Sequence, residues 1–133
     1  MATFSVEING GELIDKLTIL QIKLARITDP SKQANIRREL ATITEAHAKT
    51  IDSSANLVEL TRALRIVNES LWDIEDQIRE HESRGDFGTE FIELARSVYI
   101  QNDERARLKR TLSMLLNSDF LEEKDYRPYT QSE

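Results

Sequence analysis

The stretch LVELTRALRIVNESLWDIEDQIREH, residues 57–81, decides how the chain is read. Leu57, Leu60, Leu64, Val67, Leu71, Ile74, Ile78 and His81 recur at alternating spacings of three and four. That heptad seam predicts a long amphipathic helix with one apolar edge for other helices to cover.

Downstream, Gly85 suits a left-handed cap on this helix, and residues 86–89 read as a turn. A fourth helix follows from about residue 90 to 116, with Phe91, Leu94, Ala95, Val98, Leu112 and Leu116 on its inner face. Upstream, residues 53–56 break the pattern, and Asn56 with Glu59 has capping-box spacing. Asp29-Pro30 separates two earlier helices, with Asp as cap and Pro in the first helical position. The second helix carries Ile36, Leu40, Ile43, His47 and Ile51 in a stripe. The first is expected to begin at Asn9, boxed with Glu12 and stapled by Ile8 and Leu13. Its main stripe is Leu13, Leu17, Leu20, Leu24 and Ile27, while Ile19 and Ile22 project to the other side. Either this helix is covered on both sides, or Ile19 and Ile22 form an interface patch for a partner.

The expected fold is all-α: an antiparallel four-helix bundle made of a shorter and a longer helical hairpin. At 1.5 Å per residue, helices three and four span on the order of 36–40 Å, and helices one and two on the order of 25–30 Å. The chain is read as a single domain, 1–133, with an extended N-terminal arm at 1–8, the bundle at 9–117 and a C-terminal tail at 118–133. In the arm, Phe4, Val6 and Ile8 alternate with polar residues, so it either lies on the bundle or pairs with a second copy. Tyr126 and Tyr129 would dock the tail or leave it mobile. The longer hairpin should overhang the shorter one, leaving Ile78 and Phe91 to be covered by the arm, the tail or another subunit. A homodimer is the economical solution.

The formal net charge of −6 speaks against a general nucleic-acid binder or an anionic-membrane binder, both of which need a basic face. The absence of Cys excludes disulfides and thiolate metal sites. No apolar run suits a membrane span, and the N-terminus has no signal-peptide pattern, so a cytoplasmic location is expected.

Chemistry is sought first in helix four, where Gln101, Asn102 and Arg105 interrupt the apolar stripe. They are expected to face Asn68, Leu71 and Trp72, with Asn68, Glu69 or a residue of helix one accepting from Arg105. Such a polar layer either sets the register of the helices or lines a ligand pocket with Trp72. Arg105, Arg107, Lys109 and Arg110 form a basic cluster that binds an acidic ligand or is neutralised by acids of helix three. Glu69, Asp73, Asp76 and Glu80 form a carboxylate stripe, read as a solvated face or as Mg²⁺ ligands of the kind used by all-helical nucleotide pyrophosphohydrolases. Gly10 and Gly11 beside Lys16 offer an anion site or a close packing contact. His47 and His81 sit on apolar seams and are read as core or boundary residues. No dedicated metal site is expected, and Mg²⁺ is the only cofactor under the alternative reading.

The segments GELIDKLTIL at 11–20, LWDIEDQIR at 71–79 and FIELARSVY at 91–99, with NDERA at 102–106, resemble a family of short bacterial helical proteins classed as a domain of unknown function. The resemblance covers most of residues 6–127 and implies no activity. Helices one and four carry a fainter likeness to all-helical chorismate mutases. Those hold a dianion with two arginines and a lysine, a set not matched in full here. Two readings remain. One is a non-catalytic binding or assembly module acting through helical seams, with a protein partner or a second copy. The other is a small-molecule enzyme: an anionic substrate held by Arg105, Asn102 and Lys16, or a Mg²⁺-nucleotide held by acids of helices three and four.

Overall fold

The computed structural model describes residues 2–50, 54–117 and 122–129. Within these the chain forms four helices: α1, Gly10–Arg26; α2, Pro30–Thr50; α3, Ala55–Arg84; and α4, Thr89–Leu115. The helical-bundle expectation holds, with no strand among the described residues. Ile51, Ser53 and parts of the expected tail lie outside them.

Local chemistry sets the helix ends. The Asn9 side chain accepts from the Glu12 N–H at 2.7 Å, and the Asp29 carboxylate accepts from the Lys32 N–H at 2.9 Å, as expected of caps. Glu12 does not reach back to complete a box; its carboxylate turns to Lys109. The start of α3 corrects the sequence reading. Ser54, not Asn56, is the cap, and its hydroxyl accepts from the Leu57 N–H at 3.2 Å. Gly85, at φ 65°, closes α3 in the left-handed region, where an L side chain is strained.

The seam of α3 is buried as predicted, with Leu57, Leu64, Val67, Ile74 and His81 all nearly covered. The core joins Leu57, Leu64 and Val67 to Ile14 of α1 and to Leu108 and Leu112 of α4. Ile14 and Leu108 were absent from the expected stripes, whereas Ala95 of the expected inner face is exposed. Ile22 is only 3% exposed, so α1 is covered on both sides and Ile22 is not a free interface residue; Ile19 is half-buried beside it. The reason is the position of α1. It packs on α2, α3 and α4, whereas α2 packs on α1 and on no other helix among the described residues. Leu13 and Leu20 of α1 meet the α2 side, where each borders a recess shared with Glu39.

The hairpins are unequal, as the lengths implied. α1 ends at Arg26, tied to Asp73 by its guanidinium, while α3 continues through residues 74–84, about 16 Å further. At the tip Phe87 and Phe91 meet edge-on at 5.2 Å between centroids, and His81 lies buried beneath Phe91. The arm makes no strand: Phe4 and Val6 are largely exposed and border a recess with Leu13, Ile43 and Leu116. The described tail residues follow α4, with Tyr129 5.0 Å from Tyr99 and Arg110 paired to Glu123. No helix of the described residues is long and apolar enough to cross a membrane.

Candidate functional site

A knot of charged side chains holds α1 on the α3–α4 hairpin. Asp15 is the centre, 1% exposed although it lies one residue from Ile14 on an apolar face. It accepts from Arg105 Nε at 3.0 Å and again from Arg105 Nη2. Asn68 Nδ2 donates to Asp15 at 2.9 Å and to Thr18 at 3.0 Å. Lys109 Nζ lies 2.9 Å from carboxylates of Glu12 and of Glu122 in the tail, and 3.9 Å from Asp15. Below it, the Gly11 N–H donates to Ser113 Oγ at 2.9 Å. A Cβ at Gly11 would stand 2.0 Å from the Lys109 carbonyl oxygen. The helices touch there, which answers the two-glycine question: Gly11 serves close packing.

The knot's electrostatics follow from this geometry. Hydrogen bonding to Asp15 raises the Arg105 guanidinium above its ordinary value, against the opposing effect of burial. Burial alone would lower the Lys109 amine, but contact with Glu12 and Glu122 and the charges of Asp15 and Glu12 outweigh it, and its pKa is raised. Desolvation offsets most of the attraction in a buried pair, while removing one partner costs about 3–5 kcal/mol. Removing one member of the knot is therefore expected to cost more than the intact knot contributes.

The expected ligand residues do not form one pocket. Trp72 and Arg105 share a cleft of about 420 Å³ with Ile19, Ile22, Asn68 and Leu71, beside the second half of α1. Glu75, Asp76 and Arg79 of α3 also border it. Lys16 is exposed, lies 3.9 Å from Glu12, and meets Arg105 only across a small recess of about 220 Å³. Asn102 opens instead onto a recess of about 550 Å³ under the tail, with Tyr99, Tyr126 and Tyr129. Gln101 is half-buried and borders none of these.

Sequence reasoning placed Arg105 opposite Asn68 and allowed helix one to supply the acceptor. It missed Asp15 and Thr18, whose signal was a carboxylate and a hydroxyl standing among Ile14, Leu17 and Ile22 on one helix, and it placed Lys109 in the basic cluster without its partners Glu12 and Glu122. The basic cluster is neutralised inside the chain, yet not by helix three. Lys109 pairs with α1 and the tail, Arg107 with Glu104 of its own helix, and Arg110 with the tail. The carboxylate stripe is divided: Asp73 pairs with Arg26 and Glu69 with Arg65. Among the described residues no three His, Cys, Asp or Glu side chains converge as metal ligands would.

The chain belongs to the Family of unknown function (DUF6165), whose model matches residues 4–132. No curated protein and no solved structure matches it.

Proposed function

We propose that this family member is a non-catalytic binding and assembly module of the cytoplasm. Its working surface is the part of the α3–α4 hairpin that α1 leaves uncovered. The observation behind this is where α1 stops. Up to Arg26, a third helix lies against the hairpin; beyond Asp73 no helix among the described residues does. Ile78, Leu94 and Val98 are half-buried there, and Phe87, Ile92 and Ile100 are 53, 51 and 45% exposed. Two helices side by side leave apolar edges open, and a helix supplied from outside closes them as α1 does lower down.

An enzyme holding an anion would need cations free to grip it, and Arg105 and Lys109 are each engaged by carboxylates. Pairing of two copies over the same seam is the second reading. What favours it is the exposed edge of Phe87, Ile92 and Ile100, which a two-fold contact would bury twice.

Photo-crosslinking in cells tests the surface. A photoreactive residue at Ile92 is expected to give one discrete adduct, whose mass tells a second copy from another protein. The same residue at Ile66, 59% exposed on α3 away from the overhang, is expected to give none. Equal labelling from both positions, or none from Ile92, sinks the proposal.

A further inference from the structure

We infer that the helix received by this surface is a basic, amphipathic one from a partner protein, lying end to end with α1 in the track that α1 vacates. The inference rests on the reading of the overhang as a docking surface and adds the chemistry of its occupant.

The track has two unlike walls. On α3, Trp72, Glu75, Asp76 and Arg79 line the cleft that Ile19 and Ile22 of α1 close at one end. Arg79 pairs with Glu75 at 3.6 Å, so that wall is acidic on balance. On α4, Arg105 and Lys109 reach α1. One heptad nearer the tip, the same face carries Val98 and Asn102, and two heptads nearer it carries Phe91 and Ala95. The second wall is therefore mainly apolar, and at Val98 and Asn102 it is bordered by the tail, whose Tyr129 ring lies tilted 5.0 Å from that of Tyr99.

Charge selects the occupant. Residues 74–96 carry seven carboxylates and three guanidinium groups, so the larger part of the chain's net charge of −6 lies on the overhang. A second copy would bring the same sign to the same place, and like charges across an interface are unfavourable. A helix with an apolar stripe toward α4 and Lys or Arg toward Glu75 and Asp76 satisfies both walls. The uncovered length accommodates about three helical turns. The cleft of about 420 Å³ over Ile22, Leu71 and Trp72 then takes one large apolar side chain as an anchor.

Trp72 is the only tryptophan, so its emission reports on the cleft directly. The probes are two tryptophan-free synthetic peptides of about 18 residues, a length that lets a helix form on docking. Both carry Leu at heptad positions; one has Lys at the flanking positions and the other Glu. The Lys peptide is expected to shift Trp72 emission saturably and to bind at least about tenfold tighter than the Glu peptide. Raising salt from about 50 to about 300 mM should erode that preference. The exposed pair Glu75→Gln with Asp76→Asn should weaken the Lys peptide about tenfold with circular dichroism unchanged.

If both peptides bind alike, or the double variant leaves the Lys peptide unaffected, the basic partner is wrong while the docking surface stands. If light scattering finds a dimer that Ile92→Glu dissolves, and that dimer excludes the peptide, the occupant is a second copy and this inference falls. If neither peptide binds and the chain is monomeric, the docking surface itself is wrong.

Discussion

Asp15 is a carboxylate 1% exposed, costly to bury unless two helices satisfy it together. Around it each residue has a testable cost. Gly11→Ala puts a methyl group against the backbone carbonyl of Lys109, which cannot turn aside as the Ser113 hydroxyl can, so α1 must move away from α4. A loss of about 3 kcal/mol is expected by urea denaturation. Gly88→Ala meets only the Asp86 carboxylate at 3.4 Å and should be close to neutral. Lys109 ties stability to alkaline pH. Its folded pKa is raised, so its contribution is complete below the unfolded value of about 10.4 and is lost as pH rises through the folded value. Lys109→Met should therefore melt earlier at neutral pH, and the gap from the parent should narrow in strong alkali. A gap that stays constant would mean that Lys109 acts through packing of its stem alone.

Among the elements, α3 was the most legible, because eight seam positions repeat a single period and a period survives small errors of boundary. Its start was misread by two residues. Both Ser54 and Asn56 are good capping types, and only the backbone decides which side chain reaches a free N–H. Ser54→Ala should cost about 1 kcal/mol, whereas Asn56→Ala should cost a few tenths at most. Thermal melts of the two variants compare them directly, and a larger loss at Asn56 would return the cap to the sequence-based position. α1 was harder to read for a different reason. Beside its main stripe it carries Ile14, Ile19 and Ile22 on other faces, so the stripe alone does not say which neighbours it meets.

At the scale of the whole molecule, α1 is the centre, with α2 on one side and the hairpin on the other. The four-helix count was right from composition and breaks, but a count of helices does not say which one is internal. Among the described residues α2 buries only Ile36, and α1 is the one helix that it packs on. Its backbone should therefore open without the hairpin opening. In hydrogen exchange, α2 amides are expected to exchange faster than those of α3 around Leu64, by a free energy of several kcal/mol. Equal protection would show that α2 unfolds only with the whole bundle. By the same asymmetry α2 does not cover the overhang, since among the described residues it packs on neither α3 nor α4.

By itself the sequence determined the helices, their order, their unequal lengths and the polar interruption at Gln101–Arg105. All of these are set by local periodicity, caps and breakers within a few residues of one another. Tertiary structure alone decided that Asp15 answers Arg105, that Lys109 joins α1 to the tail, and that Ile22 lies inside. Those outcomes depend on the rotation and offset of one helix against another. Side chains far apart in the chain fix that offset jointly, through close contact at Gly11 and the satisfaction of buried charge.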